Sequence, residues 1–162
     1  MSRPSRPGVL VAVVALLCAG AAAGVALAGT STGSDAVRTL RYGVKFVNDT
    51  PIDLGARGPS VGDARTFYDV LFDGHGNRTG FSGGVCSVES MQPPVFSCTV
   101  TFSLPGGQIA TQFLTTPGPA PKPLAVTGGT GEYRGARGDG TLVEYGKNKG
   151  DRGSVSFRFT TA

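Results

Sequence analysis

The sequence contains no tryptophan, one histidine, two methionines and three cysteines in 162 residues, and only 16% of it is charged. Each scarcity closes a class of function. The single histidine, His75, lies in a Gly-rich turn (Asp73-Gly74-His75-Gly76-Asn77), so a Ser-His-Asp triad or a zinc site has almost nothing to draw on, and no metal is expected. Charge this sparse, beside 40% hydrophobic residues, fits neither a disordered polyelectrolyte nor a set of membrane helices. Glycine is plentiful at 26 residues but has no Gly-X-Y period, which excludes collagen. After residue 38 no stretch keeps a helical period for three turns.

The one long apolar run is N-terminal. Arg3 and Arg6 precede a small, apolar stretch from Val9 to Ala28 that ends in Ala26-Leu27-Ala28, the layout of a secretory signal peptide over residues 1–28. The chain is therefore expected to be secreted or associated with the cell envelope. About 20 apolar residues could also span a bilayer if retained, the one route to a membrane. Lipidation at Cys18 is disfavoured, because Ala15-Leu16-Leu17 puts a large residue next to the cysteine. Residues 29–37 read as a flexible linker and 38–162 as a single domain.

The 15 basic residues less Arg3 and Arg6 leave 13 against 11 acidic ones, a charge of +2. Spread along the chain, that charge makes no nucleic-acid footprint, so nucleic acid is not an expected partner. Lys147, Lys149 and Arg152 form the only local cluster, and they fall in a turn between Gly146 and Gly153.

Without Cys18, two cysteines remain. Ser90-Met91-Gln92-Pro93-Pro94 is a turn, and folding the chain about Gln92 sets Cys86 opposite Cys98 and Val88 opposite Phe96. In an oxidising compartment that pair reads as a disulfide; the alternative is two buried thiols.

Short alternating segments punctuated by Gly and Pro predict strands near 38–48, 65–73, 79–89, 95–104, 108–116, 123–127, 136–145 and 153–161. The clearest is Val95 to Leu104, where Phe96, Cys98, Val100, Phe102 and Leu104 alternate with Ser and Thr. The fold class is all-β. Eight short strands joined by hairpins suggest an antiparallel up-and-down barrel, wide enough for one small apolar ligand, or a small sandwich. The irregular connections Thr50 to Gly62 and Thr116 to Pro123 are long enough to cover a barrel mouth.

Isolated motifs are weak. Gly129 to Gly135 is spaced GxGxxxG with no helix after it, Arg137-Gly138-Asp139 is a chance-level tripeptide, and Asn77-Arg78-Thr79 is a bare glycosylation sequon. A larger constellation carries more. Val126-Thr127-Gly128-Gly129-Thr130-Gly131-Glu132-Tyr133-Arg134-Gly135-Ala136-Arg137-Gly138 resembles the signature of dirigent proteins, as does Gly58-Pro59-Ser60-Val61-Gly62-Asp63. Val61-Gly62-Asp63 followed by Phe67 and Leu71, then Gly83-Gly84-Val85-Cys86, then the Phe96 to Leu104 strand, is similar to allene oxide cyclase.

The two families share one fold, and the resemblance spans roughly residues 38–161. It implies an eight-stranded antiparallel barrel, often a homotrimer. It also implies chemistry without a cofactor, in which the barrel holds a small apolar molecule in one shape while it cyclises or couples. By similarity, Asp49, Glu132 and Arg137 would be catalytic, and Phe46, Asn48 and Tyr133 would contact substrate. Structural alternatives stand beside these roles: Asp49 capping a turn before Pro51, Arg137 paired with Glu132, and glycines shaping a barrel corner. In the cyclase comparison Asn48 matches an amide, while Phe46 falls where an acid belongs, which weakens allene oxide cyclisation itself. Whether the chain turns over a substrate stays open. The alternatives are a carrier of lipophilic compounds and a structural envelope barrel with a filled interior.

Overall fold

Alternation of side chains between two faces builds the architecture. The computed structural model describes residues 36–146 and 151–162. The expected signal segment, most of the linker, Cys18, Lys147 and Lys149 lie outside the described residues. Eight strands follow in order: β1 (Arg38–Ile52), β2 (Ala64–Phe72), β3 (Arg78–Met91), β4 (Pro94–Leu104), β5 (Gly107–Thr115), β6 (Lys122–Gly129), β7 (Arg137–Glu144) and β8 (Arg152–Thr160). One 3-10 turn, Gly131–Tyr133, lies between β6 and β7. Each strand pairs antiparallel with the next, and β8 returns to β1, so the sheet closes on itself and has no free edge. This is the all-β up-and-down barrel that the sequence predicts.

One strand departs from expectation. β1 continues past residue 48 to Ile52, because a bulge between Phe46 and Asn48 lets the ladder resume as Asp49 opposite Phe67, Thr50 opposite Thr66 and Pro51 opposite Arg65. The irregular connection is therefore residues 53–63, and the other strand ends shift by no more than two residues. The β3–β4 hairpin has the expected register, with Cys86 opposite Cys98 and Val88 opposite Phe96, and the two cysteines form a disulfide.

The inward face fills the barrel unevenly. Along β8, Val155, Phe157 and Phe159 point in while Ser154, Ser156 and Arg158 do not. Phe157 meets Phe102 edge-on at 4.9 Å between ring centroids. Ile109, Leu104, Leu71 and Tyr133 complete this packed part. Each such side chain stabilises the fold by about 1.5–3 kcal/mol on burial. Toward the opposite end the inward positions carry Ser82, Cys86, Cys98, Thr115 and several charged residues, which leave space.

Candidate active site in the barrel mouth

An eight-stranded barrel has an interior only wide enough for side chains or one small ligand. Here one end holds a cavity of about 500 Å³. Its wall is largely aromatic and aliphatic: Phe46, Phe67, Val100, Phe102, Phe113 and Leu142. The disulfide sulfurs' residues, Cys86 and Cys98, belong to the same wall.

Six charged residues interrupt this apolar surface: Asp49, Arg65, Asp69, Lys122, Glu144 and Asp151. Asp69 is on β2, and strand register places it between Phe46 of β1 and Ser82 of β3. It is only 5% exposed. Ser82 Oγ donates to Asp69 Oδ2 at 3.0 Å, while Oδ1 has no partner among the described residues. Burial in this apolar wall raises the carboxyl to a pKa of about 7. The Ser82 hydrogen bond opposes the rise, and the negative charges of Glu144 and Asp49 add to it. At neutral pH Asp69 is thus poised to give or take a proton.

Lys122 opens β6 on the inward phase shared with Leu124 and Val126, and its side chain is 7% exposed. Its Nζ donates to the Gly118 carbonyl at 2.7 Å and lies 3.4 Å from Glu144 Oε2. Glu144 shares the inward phase of β7 with Leu142 and is partly open to solvent. An ammonium has three donors, and these contacts use two, so Lys122 keeps one N–H for a ligand oxygen.

Asp49 stands at the rim. The β1 bulge turns it onto the inward phase opposite Phe67, and there Arg65 grips it by two hydrogen bonds, Nε to Oδ1 at 3.0 Å and Nη2 to Oδ2. Both partners are about half exposed, at 46% and 53%. The pairing holds the guanidinium above its usual range. Asp49 therefore braces the rim and does not cap a turn.

Among the residues singled out in the sequence, Phe46, Asn48 and Asp49 reach the cavity, and Cys86 and Cys98 line it. Glu132, Tyr133 and Arg137 do not. They sit where β6 turns into β7, the barrel end away from the cavity. Tyr133 is buried as part of a plug, its hydroxyl donating to the Pro105 carbonyl at 2.7 Å and its ring edge-on to Phe159. Glu132 is 67% exposed and faces Arg38 at 3.7 Å, so its ion-pair partner is Arg38 and not Arg137. Arg137 Nη1 donates to the neighbouring Ala136 carbonyl.

The glycines beside them serve close backbone contact. A Cβ at Gly129 would lie 2.3 Å from the Tyr133 carbonyl oxygen, and one at Gly131 would lie 2.1 Å from that of Gly106. The residues the sequence reading passed over are Asp69, Ser82, Lys122, Glu144 and Arg65. Their signal was phase: Asp69 shares the inward phase with Phe67 and Leu71, and a charge on the apolar phase of a strand must be buried or at a mouth.

No group of three or more His, Cys, Asp and Glu among the described residues is placed to hold a metal ion. Comparison with known proteins agrees with the architecture. The family model described as allene oxide cyclase barrel like domain matches residues 44–157. No curated protein sequence matches the chain. Among solved structures, a pyocyanin demethylase is 32% identical, covering 76% of this chain and 100% of its own, with a TM-score of 0.65. A pterocarpan synthase dirigent protein is 16% identical over 78% of this chain and 92% of its own, with a TM-score of 0.62. A Diels–Alderase from Streptomyces koyangensis is 12% identical over 81% of this chain and 71% of its own, also at 0.62, and the last two share the fold alone.

Proposed function

Since the chain belongs to the allene oxide cyclase barrel-like family, we propose that its barrel admits a small, largely apolar, conjugated molecule and steers a redox-neutral, proton-dependent cyclisation of it with Asp69 as the proton-transfer group, or steers the coupling of two radicals that a separate one-electron oxidant has formed. The observation that carries this reading is a carboxyl at a pKa of about 7 with a free oxygen in an aromatic-walled cavity. Such a group transfers protons at neutral pH with little driving force lost in either direction. Apolar walls hold the substrate in one shape, and the Lys122–Glu144 pair gives a polar substituent one place to dock. Export by the N-terminal segment belongs to the same proposal, since its layout is that of a signal peptide.

A second reading is favoured by the 32% identical relative, a demethylase that acts on pyocyanin. In that reading the same cavity demethylates a compound of that kind, the methyl carbon leaving to water as formaldehyde while the conjugated ring keeps the two electrons and two protons. Pyocyanin is accordingly the first probe. Its visible absorbance is titrated with the protein, and products are read by mass. Binding with a demethylated product selects the second reading. Binding without that product keeps the first, and conjugated polyenes alone, and phenols together with a one-electron oxidant, are then screened for cyclised and for coupled products. Unchanged turnover of any converted compound by Asp69→Asn would sink the role given to Asp69.

A further inference from the structure

Two polar groups of the cavity stand on opposite walls, and the charges around them do not balance. Asp69 lies on β2 and Lys122 on β6, four strands apart whichever way the closed sheet is followed, and both line the cavity. On the first wall Phe46, Asp69, Ser82 and Phe102 are successive cross-strand partners, so the carboxyl sits in a row between two aromatic residues. It is almost wholly buried, with Oδ2 taken by Ser82 and Oδ1 without a partner. On the second wall the Lys122 ammonium spends two donors on Gly118 and Glu144 and keeps a third. Arg65 is matched by Asp49 and Lys122 by Glu144. Among the described lining residues that leaves the carboxylates of Asp69 and Asp151 with no cation against them.

We propose that the cavity takes a conjugated ligand with a basic ring nitrogen at one end, held at Asp69, and a hydroxyl or carbonyl oxygen at the other, held by Lys122. The proposal rests on the reading of this cavity as the reaction site and names the class of molecule it accepts. An ammonium only donates, so the end it holds must offer an oxygen lone pair. Asp69 needs a partner that suits both of its protonation forms. A carbonyl oxygen would bond the acid alone, and the carboxylate would repel it. A hydroxyl bonds either form but leaves the buried charge uncompensated, which is costly in an apolar wall. A ring nitrogen accepts from the acid. Once the proton has moved from Asp69 Oδ1 to the ring, the resulting N–H⁺ donates to the carboxylate and cancels its charge. Phe46, Phe67, Phe102 and Phe113 supply ring faces and edges against which the conjugated body packs. The surplus negative charge excludes molecules that end in a carboxylate.

The test titrates the full chain at neutral pH with probes of one shape: para-hydroxystyrylpyridine, which has both ends, styrylpyridine, which lacks the oxygen, and para-hydroxystilbene, which lacks the nitrogen. The two-ended probe should bind at least about tenfold more tightly than either one-ended probe. Its absorption band should move to the red as the ring nitrogen takes the proton. Lys122→Met should cost the two hydroxyl-bearing probes about tenfold and spare styrylpyridine. Asp69→Leu should do the reverse, weakening both pyridines and sparing hydroxystilbene. Asp69→Asn can donate an N–H to the ring but has no acidic proton to give, so the red shift should vanish. Equal affinities of the parent protein for all three probes would overturn the proposal without recourse to any variant, and would leave the cavity as a ligand site. Hydroxystilbene binding that falls with Asp69→Leu and not with Lys122→Met would overturn it too, by placing the oxygen at the other wall. No binding of any probe would remove the cavity reading itself, and this proposal with it.

Discussion

The two ends of the barrel make opposite use of the same sheet. At the plugged end, the β6–β7 corner packs backbone against backbone on the β4–β5 turn, and Glu132 N donates to the Gly106 carbonyl at 2.8 Å. Arg38 lies over the rings of Tyr133 and Phe159, at 5.3 and 5.7 Å, and covers the plug from outside. At the open end, inward positions carry Asp69, Lys122 and Glu144, which give up packing for charge. The GGTG and Ala-Arg-Gly signature that is easiest to read in the sequence belongs to the plugged end. The signature therefore marks here what closes the barrel, while the charged groups of the proposed site lie at the other end, on strands outside it.

The largest test of that division is Asp69→Asn. Removing a proton-transfer group should lower turnover by about 10²–10⁴-fold. It should also stabilise the protein at pH 8. The folded state keeps a proton on Asp69 between the unfolded pKa of 3.8 and the folded value of about 7, so stability falls as pH rises through that window and levels off above it. Asparagine removes the loss, which amounts to as much as about 4 kcal/mol. Chemical denaturation of both proteins from pH 4 to 8 checks this; a variant less stable than the parent at pH 8 would refute a strained carboxylate. Tyr133→Ala is the counterpart at the plugged end. It should cost about 3–5 kcal/mol of stability, as large core truncations do, while turnover per folded molecule stays near the parent's. A selective loss of turnover would break the comparison.

Cys86→Ser/Cys98→Ser should cost about 3 kcal/mol, given a sequence separation of 12. Because both residues also line the cavity, substrate affinity should weaken alongside stability, unlike in the Tyr133 variant. Glu144→Gln is subtler. Glu144 contributes to raising Asp69, so its neutralisation should move the inflection of the pH–rate profile to lower pH. An inflection that stays or rises would remove Asp69 as the titrating group.

Most of the fold was legible, because it rests on period and turn chemistry. Alternation gave the eight strands, and the hairpin centred on Gln92 gave the Cys86–Cys98 register. The bulge after Phe46 was not legible, since a bulge is a ladder property set by the partner strand, and it decides which way Asp49 points. The site was legible only in part. Phe46, Asn48 and Asp49 were reached through resemblance, whereas Asp69 needed the inward phase of β2 to be taken as seriously as its hydrophobic neighbours. Glu132 and Arg137 were drawn in by their motif, and a motif does not say which end of a barrel it occupies.

The smallest expected effect is the sharpest discriminator between the ends. Glu132→Gln removes a half-engaged surface carboxylate, 3.7 Å from Arg38 and largely in water, so stability should change by less than about 1 kcal/mol. Arg137→Ala removes a side chain that touches its own neighbour's carbonyl at the corner. If the plugged end only closes the barrel, both variants should keep the parent's turnover and pH–rate profile, since neither charge lines the cavity. Steady-state kinetics across pH 5 to 9 decides it. A shifted inflection in either variant would mean that the plug communicates with Asp69 through the packed interior, and the two ends would then have to be treated as one site.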